Sequence, residues 1–375
     1  MEPAVDSYAL LTHAAHVTCS PTALTALARA AQRFQAWDEL PARAEHHGLA
    51  PLLYSYLRRA EVDVPHPAVR QLQALTIRHR HASRVRTAVL GEIVPALRNA
   101  GIDVLVLKGG ALAHILYPRP DLRPMRDLDL LVKQVDVARV QATLATMSGY
   151  APERHPDGEH AAHHVTAAVV REGVRVSVET HYTLHGLQLD DIQRRIDFQL
   201  HPDGPTAQTL GYEETMWYLC RHAVGHTNVF ESIRLIWVAD VVGFAEQFAD
   251  RIDWDRVRDR FPLALNVLSL FHWITPLSQQ LLQRAAVPTG PPPEDLRIDF
   301  AGWPSAAVAT LLERGWSQMV RATFLPSAWW LRMHHGLSAT QPLFWYRWVR
   351  HPLHILGWVG HLLRGKRASV LSRAR

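Results

Sequence analysis

The chain has 375 residues, 48% of them apolar and 20% charged, with a formal net charge of +5 and a pI near 9.4. That length holds two or three packed units and that balance excludes a disordered chain, while so small a basic excess names no anionic partner by itself. Cys19 and Cys220 are too few for a disulfide framework and form no Cys-x-x-Cys zinc pair, no secretory signal is evident, and no apolar run reaches the roughly 18 to 20 residues that cross a bilayer, so a cytoplasmic location is expected.

Residues 1–100 read as a helical N-terminal region. Leu24, Leu27, Ala31 and Phe34 recur at helical spacing, Ser20-Pro21 supplies a helix start, and a long periodic segment covers 69–97. The pattern changes at 102–107, a short apolar run rich in β-branched residues that reads as a buried strand ending in a turn at Gly109-Gly110. A helix over 111–117, a loop through Pro118, Pro120 and Pro124, a second strand over 127–132 and a helix over 135–147 follow. Segments 165–170 and 174–179, separated by Arg171-Glu172-Gly173, read as a β-hairpin.

These strands form a core over 101–200. The helical period then returns over 215–224, 232–248 and 262–285, within a helical domain assigned to 201–288. Residues 289–294, with Pro291-Pro292-Pro293, make a linker to a basic, Trp-rich C-terminal region ending at 375. The expected fold class is α+β: a small mixed β-sheet flanked by helical regions.

The informative residues lie in that core. In a strand, side chains alternate faces, so Asp127 and Asp129 point the same way while Leu128 and Leu130 enter the core. Like charges held together repel, and a cation stabilises both as carboxylates; oxygen ligands favour Mg2+, with Mn2+ as the alternative. A third ligand from a neighbouring strand is Glu179, on the polar face of the second hairpin strand. Gly109 and Gly110 stand between a strand and a helix start, where backbone N–H groups can meet a triphosphate.

The Gly-Gly element, the Asp-x-Asp strand and the later acidic strand resemble the polymerase-β-like nucleotidyltransferase superfamily. More closely, Leu107-Lys108-Gly109, Tyr117-Pro118 and the segment 123–132 resemble its uncharacterised nucleotidyltransferase family. So do Glu179-Thr180-His181-Tyr182, Leu219-Cys220-Arg221-His222-Ala223 and Trp237-Val238-Ala239-Asp240. Glu179 stands where that family tends to have Asp, and the loop between Gly110 and Asp127 is longer than in the superfamily at large. The resemblance covers about residues 40–260. It implies transfer of a nucleoside monophosphate from a nucleoside triphosphate to an acceptor hydroxyl on a small molecule, protein or RNA, with release of pyrophosphate. In that reading Asp127, Asp129 and Glu179 hold metal and carry catalysis. Lys108, Gly109, Gly110 and Arg126 contact the nucleotide, and His181 touches the acceptor or orients Glu179.

Plainer readings stand beside these. An Asp-x-Asp also occurs on solvent-facing strands, Lys108 can be a strand-end charge, Arg126 can serve a structural ion pair and His181 can be a satisfied structural histidine. His222 and His226 lack the intervening glutamate of a zinc-protease helix, and His163, His164, His334 and His335 read as surface residues. The alternative function is a non-catalytic nucleotide-binding or membrane-surface scaffold that keeps the fold. Residues 344–375 hold seven Arg or Lys and no Asp or Glu, with Trp345, Trp348 and Trp358 among them, which fits an anionic membrane surface or, alternatively, a terminal helix packed on the body.

Overall fold

The computed structural model describes residues 6–153, 164–226, 233–291 and 315–357. The sequence readings at 163, 292–294, 232 and 358–375, and the side chains of His164 and His226, lie outside the described residues.

Four short helices open the chain: α1 (Ser7–Thr12), α2 (Pro21–Gln32), α3 (Leu40–His46) and α4 (Ala50–Arg59). The Ser20 hydroxyl accepts the Ala23 N–H and Pro21 occupies the first helical turn, as the sequence indicates. Helix α5 (His66–Asn99) follows, 34 residues and about 50 Å long at 1.5 Å per residue. It joins two cores. Leu72 packs with α1–α4, whereas Val85, Val89, Leu90, Ile93 and Leu97 pack beneath the sheet.

The sheet has the order β1-β2-β5-β4-β3, with β1 (Leu105–Val106), β2 (Asp127–Leu131), β3 (Ala151–Glu153), β4 (His164–Arg171) and β5 (Val174–His181). β2 and β5 run parallel and the other pairs antiparallel, so the sheet is mixed and the fold is α+β, as expected. Helices α6 (Lys108–Ile115) and α7 (Val137–Thr146) lie within this unit, and β6 (Arg195–Gln199) with β7 (Thr206–Leu210) forms a separate two-stranded sheet.

Three local expectations change. All of the run 102–107 except Asp103 is buried, yet only Leu105 and Val106 pair with β2. Gly109 and Gly110 are not a turn before a helix, because α6 already starts at Lys108 and both glycines lie in its first turn. The helical segment 262–285 is two helices: Pro276 interrupts it, and the Ser278 hydroxyl caps the second by accepting the Leu281 N–H.

Helices α8 (Tyr212–His226), α9 (Leu235–Gln247), α10 (Trp254–Arg260), α11 (Pro262–Phe271) and α12 (Gln279–Ala285) complete the larger core with α1–α4. Beyond them, α13 (Trp316–Phe324) precedes α14 (Ala328–His335), whose Trp329 and Met333 enter the same core. His334 and His335 are half-buried rather than surface residues, with His334 stacked on Trp330 at 4.5 Å.

One seam joins the N-terminal helices to α9. The His47 carbonyl accepts the Ile236 N–H at 3.1 Å and its ring Nδ1 accepts the Leu235 N–H at 3.4 Å, which requires that nitrogen to be unprotonated. Burial lowers the His47 pKa to about 3, and burial likewise lowers His114 and His335 to about 4. In the unfolded chain these imidazoles titrate near 6.5, so below that pH the unfolded state binds more protons and stability falls. Fewer groups, His181 and Asp127, act in the opposite direction. The melting temperature is therefore expected to fall as pH drops from 6.5 towards 4, and a flat or rising profile over that window in scanning calorimetry would contradict it.

Candidate active site

Strand β2 opens with Asp127-Leu128-Asp129, and its two-residue period sends Leu128 and Leu130 into the core beneath the sheet. Parallel pairing sets Asp129 beside Glu179 and Leu131 beside His181 in β5. Four charged or titratable groups from two neighbouring strands thus share one face.

Asp129 is the centre of this group, with 1% of its surface exposed. Its Oδ1 accepts a hydrogen bond from Lys108 Nζ at 2.8 Å and lies 2.9 Å from His181 Nε2, which in turn stands 3.6 Å from Glu179 Oε2. Burial alone would raise the Asp129 pKa, but the Lys108 charge and the His181 hydrogen bond outweigh it and hold the carboxyl well below the ordinary carboxylate range. The same balance raises Lys108: burial opposes its charge and the facing Asp129 overcomes that penalty. His181 is raised too, since hydrogen bonds to Asp129 and Glu179 exceed the effect of burial. Asp127 goes the other way for a carboxylate, pushed up to about 6 by burial and then by the Asp129 charge.

Lys108 reaches Asp129 from the first residue of α6, where its backbone has φ +43°, in the left-handed region that a non-glycine side chain disfavours. Such strain costs about 1–3 kcal/mol. The ammonium is held by Asp129 and lies 5.7 Å from the centre of the Tyr218 ring of α8, so both partners fix the conformation.

Gly109 and Gly110 have a packing reason for their identity. A Cβ on Gly109 would collide with Arg123 Nη1, and one on Gly110 would come within 2.8 Å of Val106 Cγ1. Arg123 is itself fixed by Asp240 of α9, its Nη2 donating to Asp240 Oδ2 at 2.7 Å, while the Tyr117 hydroxyl donates to Asp240 Oδ1 at 2.7 Å. This buried triad ties the loop before β2, and with it the start of α6, to the helical core.

The ligand atoms of Asp129, Glu179 and His181 all lie within 4.8 Å of one another, the one such grouping among the described residues. Asp127 is outside it, although the charges of Asp129 and Glu179 both act on its carboxyl. The two carboxylates fit a hard cation such as magnesium or manganese, whereas an imidazole suits other transition metals. His181 Nε2 stands between the two acids, 2.9 Å from Asp129 Oδ1 and 3.6 Å from Glu179 Oε2.

Among the sequence candidates, then, Lys108, Asp129, Glu179 and His181 converge, and Asp127 borders them. Gly109 and Gly110 follow Lys108 directly in α6. Arg126 is exposed, and its carbonyl accepts from Arg86 Nη2 at 3.4 Å. Arg86 is a site neighbour that sequence reasoning missed: it projects from α5 towards Asp127, whose charge opposes the lowering effect of burial on the guanidinium. Tyr218 was missed as well, although it stands one residue before the Leu219-Cys220-Arg221-His222-Ala223 motif. His222 packs edge-on against Trp237 at 5.2 Å, a structural contact.

Removing Asp240 would leave a buried guanidinium and a buried phenol without their shared acceptor. Asp240→Ala is expected to destabilise the fold by about 3–5 kcal/mol, as for other broken buried pairs. Urea denaturation checks this, and a loss below about 1 kcal/mol would show that the triad does not hold the loop.

A family model described as "Uncharacterised nucleotidyltransferase" matches residues 34–283. No curated protein matches the chain. Among solved structures, the antibiotic-resistance factor ANT(2'')-Ia is 13% identical over 48% of this chain and 95% of its own, with a TM-score of 0.33. An antigenic nucleotidyltransferase-like protein from Paracoccidioides brasiliensis is also 13% identical, over 52% of this chain and 96% of its own, again with a TM-score of 0.33. The matched span takes in two thirds of the chain and every element around Asp129, and the chain accordingly belongs to the uncharacterised nucleotidyltransferase family.

Proposed function

We propose that the protein is a metal-dependent nucleotidyltransferase that moves a nucleoside monophosphate from a nucleoside triphosphate to an acceptor hydroxyl and releases pyrophosphate. The observation that carries this reading is the β2–β5 register, which sets Asp129 beside Glu179 on a face already bordered by Asp127. Buried Asp129 stands with the part-exposed Asp127 and Glu179, and burial and its acidic neighbours push Asp127 up to about 6, which supports a cation at this face.

Magnesium or manganese held by Asp127, Asp129 and Glu179 would supply charge neutralisation for the triphosphate and the departing pyrophosphate. In the transfer, the acceptor oxygen forms a bond to the α-phosphorus as the bond to the β-phosphate bridging oxygen breaks. Glu179, less buried than Asp129, takes the acceptor proton, and His181 holds that carboxylate in position. Lys108, which donates to Asp129 Oδ1 at 2.8 Å, would be released to donate to phosphate oxygens with these acids holding a cation. Gly109 and Gly110 offer the first-turn N–H groups of α6 to the same phosphates, and Arg126 closes over them from the surface. The face that fits an anionic membrane surface lies on other elements and takes no part in this chemistry.

Incubation with each α-labelled nucleoside triphosphate, magnesium and a cell extract tests the reading by following where label goes. Asp127→Asn and Asp129→Asn are each expected to lower transfer by about 10²-fold or more while the protein still melts cooperatively. Glu179→Gln should abolish transfer with a smaller loss of triphosphate binding. Unchanged transfer in a folded Asp129→Asn protein would sink the assignment, and equal loss of binding in all three variants would refute the separate roles.

A further inference from the structure

Charge and apolar exposure are both gathered at one end of the chain. Residues 314–375 contain ten Arg or Lys and no Asp or Glu, so the formal +5 divides into −5 over residues 1–313 and +10 over the last 62. Among the described residues, nine of the exposed large hydrophobic side chains fall between Trp316 and Leu356, and elsewhere only Ile77, Val135, Val165 and Val170 are comparably exposed.

Those nine come from two segments. On α13, Trp316, Val320 and Phe324 recur every four residues and so lie along one face, exposed by 70%, 47% and 48%. The second segment is the helix over 344–357, with a π-helical turn at Tyr346–Arg350, which exposes Phe344, Trp345 and Trp348 by 75%, 59% and 56%. The segments are joined, because His351 is fully buried and its Nε2 lies 2.7 Å from the Thr323 carbonyl. Beneath them α14 supplies the contact with the body: Trp329, Trp330, Leu331 and Met333 are buried, and Asn266 Nδ2 donates to the Gly336 carbonyl at 2.7 Å. The buried side of this region is therefore already used, and its apolar, aromatic side faces outwards beside the exposed Arg350 and half-exposed Arg347.

We propose that this face docks onto an anionic lipid surface, with the tryptophans and Phe344 at the headgroup boundary and Arg347 and Arg350 meeting lipid phosphates. Aromatic rings with a polar edge partition to that boundary, and each basic residue near it adds about fivefold to binding. No helix of the described residues is long and apolar enough to cross a membrane. A second copy of the chain is the poorer occupant. The body offers no matching apolar face among its described residues, and two such faces brought together would set +10 against +10. The inference is independent of the nucleotide site.

Flotation of the full chain with phosphatidylcholine vesicles, with and without phosphatidylglycerol, tests it. The wild type is expected to float with the anionic vesicles and to be released by salt. Trp345→Ser with Trp348→Ser should weaken flotation about tenfold or more, and Arg350→Gln about fivefold, each at an unchanged melting temperature. A wild type that stays unbound, or variants that float as well as it does, overturns the proposal. Sedimentation showing a dimer that the Trp345→Ser/Trp348→Ser protein loses, without vesicle binding, would assign the face to a second copy instead.

Discussion

The site depends on keeping one carboxylate ionised where water does not reach it. Asp129 is almost wholly buried, and an isolated charge there would be prohibitively unfavourable. Lys108 and His181 provide the compensation, and each is placed by a different feature of the fold. Lys108 is available only because α6 starts immediately after β1 with its first residue in a left-handed conformation. His181 is available only because β5 runs parallel to β2 in a register that also brings in Glu179. The opposed shifts of Asp129 and Asp127 follow: the acid held by Lys108 and His181 stays charged, and its neighbour carries the repulsion.

The surrounding packing serves that arrangement. Arg123 lies across Gly109 and is fixed by Asp240, so the start of α6 is held from the helical core as well as from the sheet. Helix α5 runs through both cores and brings Arg86 to the Asp127 side. Compensation of buried charge, rather than helix propensity, is what positions the polar side chains here.

The sequence made the acidic strand and the hairpin legible because a strand has a period of two: Asp127 and Asp129 alternate with leucines, and Glu179 follows the valines at 174, 176 and 178. The cap at Ser20 was legible for a local reason as well. What could not be read depended on contacts distant in the chain. Asp240 meets Tyr117 and Arg123 across more than a hundred residues, and Tyr218 meets Lys108 in the same way. The Gly109-Gly110 pair reads as a turn from composition, yet here the space for Arg123 and Val106 determines it. A periodic pattern carried across Pro276 likewise joined two helices that Ser278 separates.

The central claim is that Asp129 and Glu179 form the pole at which a divalent cation and a triphosphate bind together. Manganese titration, followed by electron paramagnetic resonance with and without a non-hydrolysable nucleoside triphosphate, tests this most directly. Because Lys108 and His181 already occupy Asp129 Oδ1, manganese alone should bind weakly, and the nucleotide should tighten it by drawing Lys108 onto phosphate. Manganese affinity indifferent to the nucleotide, or no manganese binding under either condition, would contradict the account.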